Sequence, residues 1–371
     1  MDLDTFLTTL YVVVDDWYTA EMGEAMQRQA GPAVQMSDSE VLTVALAGQW
    51  RVGVPWRSER GVVRYMQQQG RGWFPTMLAR SAFNKRLRGL WAALVKLQQR
   101  VAEWLEEAED VYESVDSVPL PACSLAQAAS GEGHWLWWGR LGYGGNQGGW
   151  YWGDQLLTSV TCRGVVTGWL LGPADSDDRW LLQAFLSARA GQRVLLKPAG
   201  DKKHSLPPPP GSVGPDLAVG QQRPRPYLAD QGFNGARWRH LWQQHYQVDV
   251  ISVPPANTTE AWSSPWKRWL ARHRQVVDTV FARLVTVFGL NRLEAHSRWG
   301  QYTRLAAKMA AYNLGSGSTV VSVAQTVLSQ RYWTRTQYRT SLKSPLQIRR
   351  GDFSRRVFPP LRVWRGGQGV R

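Results

Sequence analysis

Val111-Tyr112-Glu113-Ser114-Val115-Asp116 alternates as a β-strand does, and it marks the point where the chain changes character. Upstream of it the sequence reads as helix. Leu3, Phe6, Leu7, Leu10, Val14 and Trp17 recur at helical spacing. Ser37-Asp38-Ser39-Glu40 has the form of a capping box, which predicts a helix carrying Val41, Leu42, Val44, Ala45 and Leu46. A third long helix is predicted after Ser81, with Phe83, Leu87, Leu90, Trp91, Leu94, Val101 and Leu105 on one side.

Downstream, strands come first and helices mix in later. Trp150–Thr161 and Gly164–Leu171 read as two strands joined by a hairpin turn at Cys162-Arg163-Gly164. Gly131–Gly153, rich in Gly and Trp, reads as a loop. A helix is predicted over Asp178–Ala188 and a short strand over Arg193–Lys197. Pro207-Pro208-Pro209-Pro210 excludes regular structure and predicts a surface loop. Pro226–Ala229 reads as a strand ending at Asp230, followed by a helix to about His245. A strand over Val248–Val253 and a long helix over Trp266–Phe288 complete the pattern. The fold class expected is α/β: a mixed sheet flanked by helices, with an all-α N-terminal region. The divisions are 1–108, 109–315 and a basic, loosely ordered extension over 316–371.

Charge narrows the function. The 371 residues include 44 Lys or Arg against 29 Asp or Glu, a net charge of +15. Such an excess points to a polyanion, either nucleic acid or an anionic membrane surface. No run of about 18 apolar residues exists to span a membrane. Met1-Asp2-Leu3-Asp4 is acidic where a signal peptide is positive. A cytoplasmic, nucleoid-associated DNA-binding protein is therefore the expectation. Arg51–Arg100 holds eleven basic residues and one acid, Glu59. Arg51, Arg57, Arg60, Arg64, Lys85, Arg86 and Arg88 are the candidate contacts to the DNA backbone. Ser329–Arg371 again holds eleven basic residues against Asp352 alone, a composition suited to nonspecific DNA binding. Cys123 and Cys162 form no CxxC pair, and the six histidines form no metal-binding array.

Three aspartates stand out. Asp116 lies inside a strand beside apolar residues, where a carboxylate is costly to desolvate unless paired or bound to metal. Asp230 ends a strand in Tyr227-Leu228-Ala229-Asp230-Gln231-Gly232-Phe233, which exposes its carboxylate at a sheet edge. Asp278 follows Arg274 by four residues on one helix face, with Val277, Val280, Phe281 and Leu284 as apolar neighbours. Asp177 and Asp178 precede a helix and read as capping or dipole residues.

These stretches resemble, in order, the motifs of the bacterial insertion-sequence transposases of the DDE superfamily. Met36-Ser37-Asp38-Ser39-Glu40 resembles the family's helix start, and Glu113-Ser114-Val115-Asp116-Ser117 its first-strand motif. Ala229-Asp230-Gln231-Gly232-Phe233 resembles its Asp-Lys-Gly-Phe/Tyr motif. Arg274-Gln275-Val276-Val277-Asp278-Thr279 resembles its Arg-x-x-x-Glu-Thr helix, and Arg304–Asn313 the helix that closes the domain. The resemblance covers roughly Asp2 to Gly315. It implies an RNase H-like domain with carboxylates on the first strand, after the fourth, and on a later helix. It further implies that Asp116, Asp230 and Asp278 bind two Mg2+ (or Mn2+) ions per active site about 4 Å apart. Arg274 would contact DNA phosphate or orient the third carboxylate. The partners implied are element ends and target DNA, held by a homodimer, with no membrane role.

The sequence departs from the family in three places. Asp278 stands where the family has Glu, and a shift of about 1 Å can cost about a hundredfold in rate. Gln231 stands where Lys is common, and the tail beyond about Val327 has no counterpart. Glu260 is an alternative third acid. Two other readings stay open: a catalytically impaired DNA-binding relic, and an RNase H-like nuclease that cuts without joining.

Overall fold

The computed structural model describes residues 2–26, 34–105, 110–130, 139–144, 149–190, 225–254, 262–293 and 295–315. The expected strand at 193–197, the proline run, Glu260 and the basic extension from 316 lie outside the described residues.

The N-terminal region is helical: α1 (Leu3–Met26), α2 (Asp38–Ala47), α3 (Glu59–Gln68), α4 (Arg80–Gly89) and α5 (Trp91–Trp104). The capping box forms as expected. Ser37 Oγ accepts from the Glu40 amide at 3.1 Å, and the Ser37 amide donates to Glu40 Oε2 at 2.6 Å. The long helix expected after Ser81 is instead two. The chain leaves helical geometry at Leu90, just past Gly89, and α5 begins afresh at Trp91. Glycine is a poor helix former, so an apolar stripe that runs through it need not belong to one helix.

Among the described residues a six-stranded sheet follows. Its elements are β1 (Glu113–Cys123), α6 (Leu125–Ser130), β2 (Arg140–Tyr143), β3 (Trp150–Thr161), β4 (Val166–Pro173), α7 (Asp178–Arg189), β5 (Tyr227–Leu228), α8 (Ala236–Tyr246), β6 (Val250–Ile251), α9 (Ser264–Thr286) and α10 (Arg298–Gly315). β3 lies antiparallel to β1 on one side. Its other edge is shared end to end by β2, at Trp150–Gly153, and β4, at Asp154–Val160. Beyond β1 come β5 and β6, both parallel to their neighbours. The β3–β4 turn closes at Gly164, whose φ of +83° is a conformation that glycine adopts without strain. β2 lies within the stretch expected to be a loop. Gly142 there is buried so close to the Ala174 carbonyl that a side chain would not fit.

The sheet separates two cores. Val115, Leu157 and Leu170 face α7 and α8. Leu120, Leu156, Val160, Trp169 and Leu171 face the opposite way, into a larger core shared with α1–α5, α9 and α10. The helical region and the sheet are thus continuous, and the described residues form one compact unit. α10 is almost wholly buried and ties the parts together through polar groups. Asn313 pairs with both backbone groups of Val166, accepting from its N–H at 3.0 Å and donating to its carbonyl at 2.9 Å. Gln98 on α5 donates to the same carbonyl at 2.7 Å. The buried Lys308 ammonium donates to the Phe288 carbonyl at 2.6 Å and to Gln49. Among the described residues no helix is long and apolar enough to cross a membrane.

A carboxylate cluster at the edge of the sheet

Parallel pairing of β1 with β5 sets Ser114 opposite Leu228. Two residues further on, Asp116 and Asp230 therefore stand side by side, where β5 has ended and its chain turns away through Gln231–Phe233. The ends of parallel strands are where α/β sheets present ligand sites. Arg274 of α9 lies between them. Its Nη1 donates to Asp230 Oδ1 and its Nη2 to Asp116 Oδ2, both at 2.9 Å. α9 is fixed over this edge because Leu270, Val277, Val280, Phe281 and Leu284 bury one stripe of it.

The two carboxylates differ in surroundings. Asp230 is well exposed, whereas the Asp116 side chain is only 17% accessible. Burial pushes the Asp116 carboxyl up to about 6, against the pull of Arg274 and the Ser117 amide, which donates to Oδ1 at 2.8 Å. Burial works against the Arg274 charge too, but attraction to Asp116, Asp230 and Asp278 outweighs it and holds the guanidinium firmly protonated. Among the described residues the buried Arg274 Nε–H meets no acceptor.

Asp178 joins the same edge from α7, which the sequence alone does not reveal. Asp177 is the residue that caps α7, accepting from the Arg179 amide at 2.9 Å. Asp178 is left to accept from Ser117 Oγ at 2.6 Å and Gln155 Nε2 at 2.8 Å, with Gln155 also donating to Ser117. Burial raises its carboxyl above the ordinary range despite the Ser117 bond, and nearby Asp177 and Asp230 raise it further. Its Oδ2 lies where a side chain on Gly232 would be, 2.8 Å from an ideal Cβ. Gly232 thus serves the Asp-x-Gly turn by leaving room for Asp178, not by a left-handed backbone.

Asp278 is exposed, one helical turn beyond Arg274, on which its charge acts. The structure brings Asp116 and Asp230 together through Arg274 and leaves Asp278 on the solvent side of α9. Among the described residues no group of three or more His, Cys, Asp or Glu is arranged to hold a metal ion.

The seven candidate DNA contacts divide by environment. Arg57, Arg60, Arg64 and Lys85 are exposed, and Arg60 and Arg64 share one face of α3. Arg86 instead grips Asp38, with Nη2 at 2.6 Å and Nε at 3.1 Å, and also donates to the Met36 carbonyl. Arg51 donates to the Gly48 carbonyl at 2.6 Å, at the end of α2. Arg88 is half-buried, and its carbonyl accepts from Trp299 at 3.0 Å. Comparison of the chain with family models, curated proteins and solved structures gives no match.

Proposed function

We propose that this chain cuts and joins DNA as a transposase of the DDE superfamily, on an RNase H-like sheet. The observation that carries the reading is Asp116 on β1 and Asp230 just past the end of its parallel neighbour β5, both held by one cation from α9. The order supports it in part: the antiparallel strands β1–β4 come first, then β5 and β6 alternate with helices. The first carboxylate sits on β1 and the second follows β5, the fifth strand, where the resemblance implies the fourth.

The pair of carboxylates offers part of a donor set for a divalent metal. Two carboxylates, one buried and one exposed, converge on a positive charge, and hard oxygen ligands suit Mg2+ or Mn2+. Asp116 and Asp230 would hold the ion, with Asp278 or Asp178 as further acids. A pair of such ions activates an attacking oxygen and stabilises a leaving one at a phosphodiester. The protein's own part is to hold the Asp116 carboxylate desolvated and oriented through Ser117, and to present the Arg274 fork. That fork matches phosphate as well as carboxylate. Arg57, Arg60, Arg64 and Lys85 would anchor the DNA backbone, giving position rather than sequence. Two element ends joined in one event call for two copies of the chain on DNA.

The test is cleavage of a labelled duplex carrying the element's ends, with Mg2+ or Mn2+, by wild type, Asp116→Ala and Asp278→Glu. Cutting by wild type that Asp116→Ala abolishes, with joined products, supports the proposal. The exposed Asp278 favours a second reading, a copy impaired in cleavage. No cutting by wild type, with activity restored by Asp278→Glu, would establish that. Cutting without joined products would make it a nuclease.

A further inference from the structure

The first turns of α9 carry a row of rings whose leading two members are left exposed among the described residues. Trp266, Trp269 and His273 recur at the spacing of one helix face, and every residue from 263 to 269 is exposed. Trp266 is 60% accessible and Trp269 36%. The rings touch in sequence. Trp266 meets Trp269 edge-on at 5.7 Å, and Trp269 stacks on His273 at 4.5 Å with 30° between planes. His273 then meets Tyr112 edge-on at 5.8 Å. His273 Nδ1 lies 2.7 Å from the Trp269 carbonyl, which fixes its ring in the row. Tryptophan dominates the energetics of cores and interfaces because of its large apolar area, so two left in water on one helix are costly unless something covers them.

The charge around the row says what covers it. Lys267, Arg268 and Arg272 are exposed on the same turns, and Ser264–Val277 contains no acid. The row ends beside Arg274, whose guanidinium holds Asp116 and Asp230. Flat rings flanked by cations on the adjoining sides of the helix suit an occupant that is itself flat, stacking and negatively charged along its backbone. An apolar protein surface would not call for the four basic residues.

We infer that this face of α9 stacks the bases of unpaired DNA and holds a single-stranded segment against the carboxylate edge. This deepens the proposed function and rests on it. From Trp266 to His273 the helix rises about 10 Å, room for about two or three stacked nucleotides. Duplex DNA cannot use the row, because its bases already stack on each other, so the face discriminates strand state rather than sequence.

The experiment measures binding of the full chain, with a metal chelator so that no cleavage intervenes. The probes are a fluorescein-labelled 12-nucleotide single strand, the blunt duplex of the same sequence, and a single strand with 2-aminopurine at successive positions. Wild type is compared with Trp266→Ala/Trp269→Ala and Trp266→Phe/Trp269→Phe. Both sites are exposed, so the variants should melt as wild type does. The alanine variant should lose about tenfold or more in single-strand affinity, with duplex affinity within about twofold and the 2-aminopurine quenching gone. The phenylalanine variant should recover most of that loss. Unchanged single-strand binding by the alanine variant would overturn the inference, as would equal loss for both DNA forms. Displacement of the single strand by polyglutamate as readily as by unlabelled single strand would also overturn it, since charge alone would then explain binding. These outcomes are independent of the cleavage test. If wild type cuts duplex ends while the tryptophan variants bind normally, only this inference fails. If stacking is found and no variant cuts, the transposase reading fails instead.

Discussion

Replacing Asp116 with Asn should make the metal-free protein more stable at pH 8, although the residue sits at the proposed catalytic centre. The reasoning starts from its carboxyl, which burial pushes from an ordinary 3.8 to about 6. Between those values the folded state binds a proton that the unfolded state has released. Stability therefore falls as pH rises through the window from 3.8 to 6, and the loss is complete above it. The difference corresponds to about 3 kcal/mol. The Asn amide resembles the protonated carboxyl and escapes that loss, while Arg274 keeps Asp230. Thermal melts followed by circular dichroism in chelator should show the variant about 5 °C above wild type at pH 8, with the gap closing towards pH 4. Added Mg2+ or Mn2+ should then raise the wild-type midpoint more than that of the variant, since a ligand of the folded state stabilises in proportion to its affinity. A variant no more stable than wild type at pH 8, or a gap that does not change with pH, would refute the account of Asp116 as a desolvated carboxylate.

Two further predictions separate basic residues that bind DNA from those that hold the fold. Arg60→Ala/Arg64→Ala should reduce the slope of log affinity against log salt by about 2 for duplex DNA with little change in melting temperature, whereas Arg86→Ala should lower the melting temperature and leave the salt slope nearly unchanged, read by anisotropy titrations across salt and by melts. Glu113→Gln should destabilise the protein by about 3–5 kcal/mol in urea unfolding, because Arg189 pairs with Glu113 at 2.8 Å with both side chains 1% accessible, and the guanidinium would be left without its counter-charge.

Local signals were the legible ones. The strand that stops at Asp230 and the Ser37–Glu40 capping box depend on residues within a few positions, and both appear in the structure. The strand read at Val111–Asp116 appears too, but it starts at Glu113, runs on to Cys123 and buries Glu113, Ser114 and Val115 alike, because helices cover both faces of the sheet there. Arg274 stood out by its spacing from Asp278, but its partners lie 44 and 158 residues away, so sequence could not pair it with Asp230 and Asp116. Asp178 was hidden for the same reason: beside a helix start it looks like a cap, and only the fold brings Ser117 and Gln155 to it. Arg86 was visible as charge, yet its partner Asp38 is 48 residues earlier. Composition can count basic residues, but it cannot tell a solvated cation from one holding two helices together. The exposure of Asp278 has a helical cause. Four residues advance the direction around α9 by about 40° beyond a full turn, which carries Asp278 further from the buried stripe than Arg274.

The same geometry bears on how the proposed site would work. Two carboxylates side by side, one within β1 and one just past the end of β5, repel, and one of them is buried. Neither burial nor proximity is tolerable at neutral pH without a positive charge between them. Arg274 supplies that charge, and its rigid fork satisfies one carboxylate with each arm. A guanidinium placed this way has a second possible partner, because phosphate presents the same pair of oxygens. On the proposed reading, a DNA backbone reaching this edge competes with Asp116 and Asp230 for Arg274, and each carboxylate it releases becomes available to a divalent cation. DNA and metal would then bind with mutual assistance, as linkage requires of two ligands that relieve one shared contact. Arg274→Lys would weaken that coupling while keeping the charge, because an ammonium is a point charge that cannot bridge two carboxylates with a planar fork. On that reading the desolvated Asp116, the exposed Asp230 and the arginine between them form one device, which would exchange its own cation for a divalent one when DNA engages the arginine.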